Sequence, residues 1–377
     1  MTIDPHLKTP SGKLRARALG VPFLGNAGPF NAITDVPGVE VGYHTLISGD
    51  GPLRVGHGPV RTGVTAILPR GMEGVGQSVA AGFHSFNGNG EVTGASWINE
   101  AGIFSTPVMI TNTHAVGPVH RGTIDWMVKN KPDDMPEWSL PVVAETWDGY
   151  LNDINGKHVT PEMAGLAIDA AKGGAVEEGS VGGGTGMNCY GFKGGNGTAS
   201  RLVKFAGETY TVGVFLQCNF GARHELQVAG HPLGQQLLAD NPIEAHFARL
   251  EGAGSCIGVL ATDAPLLPGQ CQALARRLML GLARTGTTGS HFSGDIFLAF
   301  SNANKAAFGT GYPQGKPQLS QLDFVPWNEI NPFYAAAVHA SEEAVINSMV
   351  ANETMTGRDG HRSPHLPHDA VRKLFGA

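Results

Sequence analysis

Ser255 lies where a chain cleavage would turn an ordinary serine into a nucleophile. The sequence contains no HExxH, no GxSxG, no GxxxxGK[ST], and no GxGxxG placed between a strand and a helix with a distant acid. A hydroxyl can still be activated when it belongs to the first residue of a chain. The α-amine of that residue, with a pKa of about 7.7–8.0, is then a general base near neutral pH.

The junction Gly254-Ser255 precedes an apolar run at residues 256–262 and fits this design. Gly254 would present an unhindered carbonyl to the hydroxyl of Ser255, and its flexibility permits the strained turn that the attack needs. A Gly-Ser pair is also an ordinary entry to a strand, so the junction alone does not decide between the two interpretations. A cut one residue later would make Cys256 the nucleophile.

Four polar residues at the ends of apolar runs are candidates to assist a nucleophile. Ser293 and Asp295 are two residues apart at the start of a strand, so their side chains point to the same face. A hydroxyl and a carboxylate there could orient an α-amine. Asn219 ends a strand, and its amide could donate to an oxyanion, a contact worth about 3–4 kcal/mol. Glu145 follows an apolar run and is costly to bury unless it meets a cation.

Each of these residues also has an ordinary structural explanation. Ser293 and Asp295 could be a simple strand entry, Asn219 a turn residue before Gly221, and Glu145 half of a structural salt bridge.

Metal or cofactor binding is not predicted. His361, His365 and His368 have spacings of four and three, which could indicate a metal site. They lie among prolines, however, and no carboxylate pattern accompanies them.

The strand and helix patterns predict a layered α/β protein with helices outside the sheets. One helix begins at Thr160, whose hydroxyl can cap it, with Pro161 at the first position and Gly173-Gly174 as its end. Others cover residues 268–284 and the segment after Pro332. A mixed, polar segment at 235–254 marks an internal boundary. Strands are predicted at residues 39–47, 64–68, 108–111, 140–144, 257–262 and 296–301, with a hairpin at 202–205 and 209–217.

Composition excludes several classes of partner. The net charge is −6 and only 15% of the 377 residues are charged, with no cluster of Lys and Arg among aromatics, so neither nucleic acid nor an anionic membrane is predicted as a partner. No apolar run is long enough to span a membrane, and no secretory signal is evident. The four cysteines lack CxxC spacing, so reduced thiols in the cytoplasm are expected. A leader removed from the natural chain would place it in the periplasm.

The order of several short segments resembles one enzyme family along nearly the whole chain. The chain is similar to the self-processing L-aminopeptidase D-amidase/esterases and β-aminopeptidases. The matching segments are residues 31–36 (NAITDV), 61–65 (RTGVT), 142–146 (VVAET), 151–153 (LND), 182–187 (GGGTGM), 192–195 (FKGG), 254–266 (GSCIGVLATDAPL) and 293–295 (SGD).

The resemblance implies a four-layer αββα sandwich, like that of N-terminal nucleophile (Ntn) hydrolases but differently connected. It implies one domain that cleaves itself into residues 1–254 and 255–377, usually assembled as a homotetramer. Substrates would be small peptides, amides or esters of L-, D- or β-amino acids with a free amino end. No cofactor is implied.

The same resemblance gives roles to individual residues. Ser255 would be the nucleophile, with Ser293 and Asp295 beside it and Asn219, in Gln-x-Asn, at the oxyanion. Glu145 would bind the substrate ammonium. Trp147 departs from the family pattern: it stands where relatives carry Tyr or Leu and would alter the wall that receives the first side chain.

The acid at position 295 also separates two branches of the family. Relatives that cut β-peptides carry Ser-Gly-Glu, so Asp295 resembles the L-aminopeptidase branch.

Two other functions remain compatible with this scaffold. One is a self-cleaving acyltransferase of the ornithine acetyltransferase type, whose cleavage motif centres on Thr rather than Ser. The other is a catalytically silent protein that binds small molecules.

Overall fold

The computed structural model describes residues 3–133, 138–247, 252–305, 307–309 and 315–376 of the chain. The helices in these ranges are α1 Ala95–Ala101, α2 Val116–Asn130, α3 Pro161–Asp169, α4 Leu233–Gln236, α5 Pro242–His246, α6 Pro268–Ala283, α7 Asn331–Val350 and α8 His368–Phe375. The strands are β1 Glu40–Ser48, β2 Val60–Leu68, β3 Val79–Ser85, β4 Ile103–Phe104, β5 Val108–Asn112, β6 Val142–Thr146, β7 Asn188–Cys189, β8 Phe192–Lys193, β9 Gly195–Phe205, β10 Glu208–Asn219, β11 Gly254–Thr262, β12 Ser293–Ser301, β13 Met355–Thr356 and β14 Arg362–Ser363.

Two sheets form the centre of the molecule. The smaller has the order β1-β2-β5-β6, and the larger has the order β4-β3-β12-β11-β10-β9. Neighbouring strands run antiparallel except for β5 with β6 and β11 with β12, which run parallel. Because β11 and β12 are parallel, their first residues lie at the same edge of the larger sheet.

Apolar residues divide the protein into four layers. The core between the sheets joins Ile110 and Val142 of the smaller sheet to Phe215, Val259 and Leu298 of the larger. A second core lies between the larger sheet and helices α6 and α7, and a third between the smaller sheet and helices α2 and α3. The layers therefore run helix, sheet, sheet, helix, and the predicted αββα sandwich is confirmed.

Several predicted boundaries need correction. Thr160 occupies the N-cap of α3, but its hydroxyl makes no cap hydrogen bond. It lies instead beside the Glu162 carboxylate, whose pKa it lowers. The helix ends at Asp169, well before Gly173, because the chain then turns so that Lys172 can pair with Val41 through both backbone hydrogen bonds at 3.1 Å.

The segment predicted as a mixed helix divides into α4 and α5, and residues 248–251 lie outside the described ranges. Within the described ranges, no helix is both long and apolar enough to cross a membrane.

A buried ion cluster ties the amino-terminal segment to α7. Both carboxylate oxygens of fully buried Glu343 are paired, with Arg17 Nε at 2.6 Å from Oε1 and Arg201 Nη2 at 2.7 Å from Oε2. Burial alone would raise the pKa of Glu343, but the hydrogen bond from Arg17 and the surrounding guanidinium charges bring it below its ordinary value. The carboxylate is thus charged in the fold and holds three separate segments together.

We expect Glu343→Gln to lower the free energy of unfolding by about 3–5 kcal/mol, because it leaves buried guanidinium groups uncompensated. Denaturant or thermal unfolding measures the loss. Glu342→Gln is the matched control on the same helix. Its partner Arg284 is 45% exposed, so solvent weakens that pair and the cost should be about 1 kcal/mol or less. Equal losses in the two variants would contradict the importance of the buried cluster.

Candidate active site

Three strands of the larger sheet bring four of the predicted site residues to one edge. Asn219 ends β10 and lies opposite Ser255 of β11 in the antiparallel register. Ser255 is in turn aligned with Gly294 of β12, so Ser293 and Asp295 flank it. The sheet register therefore places these residues side by side, although they are far apart in sequence.

The hydroxyl of Ser255 is buried and unengaged. The residue is 3% exposed, and its Oγ has no hydrogen-bond partner among the residues that the structure describes. Leaving a buried hydroxyl unpaired costs about 1–3 kcal/mol, and a functional role is one explanation for such a group. Its neighbour Gly254 has no room for a side chain, since a Cβ there would lie 1.9 Å from the Asn219 carbonyl oxygen. Only glycine fits before Ser255.

Ser293 and Asp295 form a hydrogen-bonded pair on one strand face, as their spacing predicts. Ser293 Oγ donates to Asp295 Oδ1 at 2.8 Å, and both side chains are 1% exposed. Burial raises the pKa of Asp295 to about 6, while the hydrogen bonds that it accepts limit the rise.

Asn87 is a further neighbour of this acid that the sequence analysis did not include in the site. Its Nδ2 donates to Asp295 Oδ2 at 2.8 Å, and its Oδ1 accepts from the Asp295 amide at 2.6 Å. The signal in the sequence was the turn Asn87-Gly88-Asn89-Gly90, which indicates a tight backbone but not a partner.

Asn219 keeps one of its amide hydrogens free for a ligand. Its Nδ2 donates to the Trp147 carbonyl at 3.0 Å, and its Oδ1 accepts from the Asn188 amide at 2.9 Å. These two bonds fix which end of the side chain is the donor. A primary amide has two N–H groups, so one remains to meet an oxyanion near Ser255.

Glu145 lies inside β6 rather than after it, and it is 3% exposed. Its Oε1 accepts from the Glu91 amide at 2.9 Å, and its Oε2 accepts from the Thr113 hydroxyl. In the described part of the chain no Lys, Arg or His forms an ion pair with this carboxylate, so the structural salt bridge is not found. Burial raises the pKa of Glu145. A bound cation would stabilise the charged form.

A cavity of about 540 Å³ is lined by Ser255, Asn219 and Glu145. Thr113, Glu91 and Glu244 add polar groups to the lining, and no Lys, Arg or His is among the described residues that line it. Aromatic rings line the cavity as well. Trp147, which is 37% exposed, packs edge to face against Phe247 at 5.9 Å, and Tyr150 lies 5.8 Å from the same ring. The cavity thus joins an acidic region to an apolar wall.

The alternative nucleophile and the histidine group have other surroundings. The Cys256 thiol is fully buried in the core under α6 and α7, and burial raises its pKa well above the ordinary value. His361 stacks on Tyr150 at 4.6 Å, and His368 contacts the Val350 carbonyl at 3.0 Å. Among the described residues, no group of three or more His, Cys, Asp or Glu side chains could hold a metal ion.

The four-layer αββα fold is of the Ntn-hydrolase type. The family model "Peptidase family S58" matches residues 31–363, and the chain belongs to that family. The chain is therefore an aminopeptidase, and the resemblance stated from its sequence is confirmed.

Individual relatives are similar over nearly their full lengths. The beta-peptidyl aminopeptidase BapA of Sphingosinicella microcystinivorans is 49% identical over 370 residues, covering 96% of this chain and 91% of the relative. The structure of the L-aminopeptidase D-Ala-esterase/amidase from Ochrobactrum anthropi, a variant of the Ntn hydrolase fold, is 45% identical with a TM-score of 0.87, covering 96% and 99% of the two chains. A beta-aminopeptidase from Burkholderia sp. is 41% identical with a TM-score of 0.88, covering 96% and 98%.

Proposed function

We propose that the chain cleaves itself between Gly254 and Ser255 and that the freed Ser255 then removes amino-terminal residues from small peptides, amides or esters. The observation that carries the proposal is the buried Ser255 hydroxyl, which has no hydrogen-bond partner among the described residues, on the strand between Asn219 and the Ser293–Asp295 pair. The two products of cleavage would be residues 1–254 and 255–377.

Maturation is an acyl shift followed by hydrolysis. Ser255 Oγ attacks the Gly254 carbonyl, the peptide C–N bond breaks, and an ester to Ser255 Oγ forms while the Ser255 nitrogen becomes an amine. Water then cleaves the ester, leaving a carboxylate on Gly254 and a free hydroxyl on Ser255. The lack of space for a Cβ at Gly254 supports this step, because a glycine at the scissile position leaves its carbonyl unhindered by a side chain.

Turnover uses the new amine as the base. The Ser255 amine accepts the hydroxyl proton as Oγ attacks the substrate carbonyl, and Asn219 Nδ2 with backbone amides stabilises the oxyanion. The protonated amine then gives its proton to the leaving group, and an acyl-enzyme remains. Water then attacks the acyl-enzyme while the Ser255 amine accepts its proton. The ester bond breaks, the proton returns to Ser255 Oγ, and the product is released. An amine in place of water would give ligation as a side reaction.

The cavity favours a substrate with a free ammonium and an apolar first side chain. Glu145 and Glu91 supply negative charge at one side, and no basic side chain among the described lining residues competes for it. Trp147, Tyr150 and Phe247 supply the surface on which the first side chain would lie. The protein names of the relatives include both β-peptidyl and L-aminopeptidases, and both kinds of aminoacyl group are proposed as substrates.

Quaternary structure and location are part of the proposal and stay predictions. We propose a homotetramer of processed heterodimers, as the family resemblance implies, and a cytoplasmic location.

The acyltransferase and the silent binding protein are tested by the reaction products. Release of a free amino acid from an aminoacyl amide without any acyl acceptor supports hydrolysis, while dependence on an added acceptor would favour the acyltransferase. The serine at the junction and the confirmed aminopeptidase family already favour hydrolysis.

We expect Glu145→Gln to raise KM for substrates with a free amino end and to change kcat much less, because it removes ground-state and transition-state binding of the ammonium together. The measurement is steady-state hydrolysis of an amino acid amide and its N-acetyl derivative by wild-type and variant protein. Wild type should discriminate strongly against the acetylated substrate. Equal turnover of the two would remove Glu145 from this role.

A further inference from the structure

One short turn contacts both Asp295 and Glu145. In the turn from Phe86 to Glu91, the Phe86 amide donates to the Asp295 carbonyl at 3.0 Å. The Glu91 amide at its other end donates to Glu145 Oε1 at 2.9 Å. Between them, Gly90 approaches both sides so closely that a Cβ would lie 3.2 Å from Glu145 Oε1 and 3.3 Å from Gly294 Cα. The turn therefore lies directly between the ammonium-binding acid and the nucleophile strands.

Asn87 determines how the Asp295 carboxylate is held. Its side chain bonds reciprocally to the backbone amide and to Oδ2 of Asp295, and Nδ2 also donates to the Ser290 carbonyl at 3.0 Å. Ser293 supplies the donor for the other oxygen, Oδ1. Each carboxylate oxygen thus has a donor from a different segment, so the carboxylate cannot rotate without losing both.

This arrangement fixes the direction of the hydrogen bond from Ser293. A serine hydroxyl has one hydrogen, and here that hydrogen goes to Asp295. Toward any other neighbour Ser293 Oγ can then only accept. A neighbouring amine or ammonium at Ser255 would be the matching donor, since Ser255 is aligned between Ser293 and Asp295.

We propose that Asn87 is a positioning residue that orients Asp295 and thereby sets Ser293 as the hydrogen-bond acceptor for the Ser255 amine. The inference rests on the proposed function, because the amine exists only after cleavage. It also assigns a role across the cut, since Asn87 would belong to residues 1–254 and Asp295 to residues 255–377.

Few other charged or titratable groups act on this carboxylate. The groups that interact electrostatically with Asp295 are the buried thiols Cys189, Cys218 and Cys256 on β7, β10 and β11. In the described part of the chain, no Lys, Arg or His pairs with Asp295. The donor from Asn87 is therefore its main contact from outside its own strand.

The test compares Asn87→Asp with Asn87→Ala in the full chain. Asn87→Asp keeps the size and the acceptor for the Asp295 amide but replaces the donor by a second carboxylate. If the Asn87 side chain only filled space in the turn, Asn87→Asp would be tolerated better than Asn87→Ala. We expect instead that kcat at pH 8 falls by up to about 100-fold in both variants, with KM for an amino acid amide changed by less than about threefold.

The pH dependence gives a signature that loss of folding would not produce. Two adjacent carboxyl groups share a proton as the pH falls, because like charge raises the pKa of the pair. The shared proton would restore a donor to Asp295, so the ratio of kcat in Asn87→Asp to wild type should rise toward pH 6. The same ratio for Asn87→Ala should not rise, because alanine supplies no proton and removes a donor that lowers the pKa of Asp295. Asn89→Ala is the control in the same turn, because Asn89 Nδ2 donates to the Phe292 carbonyl and not to the acid. It should leave the kcat ratio independent of pH.

The inference would be overturned if wild type is active and Asn87→Asp has a near-normal kcat at pH 8. It would also be overturned if Asn87→Asp and Asn87→Ala showed equal losses of kcat at every pH. If the substitution also slows maturation, kcat is measured on protein that longer incubation has processed, because the amine exists only after cleavage. Recovery of kcat at low pH supports the positioning role, and a pH-independent deficit contradicts it. Failure of the proposed function can be told apart from failure of the Asn87 inference. In that case the wild-type chain itself would remain uncut and release no amino acid.

Discussion

Ser255→Ala should remain a single chain of 39.4 kDa and release no amino acid from a peptide or an amide. The substitution removes the hydroxyl that attacks the Gly254 carbonyl and, in the mature protein, the same hydroxyl that attacks the substrate. Loss of a serine nucleophile typically lowers kcat by about 10⁶-fold. Intact mass and amino-terminal sequencing test the first result, and a hydrolysis assay tests the second.

Ser363→Ala is a matched control for this experiment. Ser363 is also fully buried, and its hydroxyl likewise has no hydrogen-bond partner among the described residues, but it lies on β14 outside the cavity. That variant should be cut and should turn over substrate like wild type. If Ser255→Ala still yields two fragments, the second beginning at residue 255, then self-cleavage by Ser255 is wrong.

Asp295→Asn should lower kcat by about 100-fold or more. The KM values for substrates with different first side chains should change by nearly the same factor, since we expect the acid to act on the Ser255 amine through Ser293 rather than to touch the peptide. A carboxylate near the Ser255 amine favours the protonated amine and so raises its pKa. The neutral amide removes that influence, the pKa of the amine falls, and the base stays deprotonated to lower pH. The acidic limb of kcat/KM should therefore move downward. Correctly processed protein is needed for this pH–rate profile.

The pKa of Asp295 sharpens the expected profile. Burial raises it to about 6 in the uncut chain, so the carboxylate is charged above that pH. After cleavage a protonated Ser255 amine would favour the carboxylate further, so wild type and Asp295→Asn should differ clearly above about pH 6. Asp263→Asn is the control, because burial raises the pKa of this acid too, yet it follows the far end of β11 and accepts from the Thr211 amide at 2.7 Å. An unchanged acidic limb with near-normal kcat in Asp295→Asn would reduce Asp295 to a structural residue.

The candidate site residues that lie on strands could be selected from the sequence. Asn219, Ser255 and the Ser293–Asp295 pair stand at the ends of apolar runs, and alternation within β12 places Ser293 and Asp295 on one face. Their mutual alignment depends on sheet register, which single runs do not contain. The family resemblance supplied that step.

The contributions from irregular segments were not predictable in the same way. Asn87 bonds to a residue more than 200 positions away, and an Asn-Gly turn indicates only local geometry. The aromatic wall combines Trp147, Tyr150 and Phe247. These residues lie in segments without a helical or strand-like spacing of apolar residues, so the sequence pattern does not show that they meet. Helix α2 was missed because Gly and Pro in its first turn obscure the apolar face that packs on the smaller sheet.

The order of strands in the larger sheet has a consequence for recovery after denaturation. Strands β3, β9 and β10 precede the Gly254–Ser255 junction in the chain. Strands β11 and β12 follow the junction and form the middle of the larger sheet, between β3 and β10. Cleavage at that junction would leave two polypeptides that both contribute strands to one sheet. Neither polypeptide alone would have a complete hydrophobic core. An uncut chain can refold on its own at any dilution. Once severed, the halves must first find each other, so regain of structure becomes a second-order reaction that dilution slows.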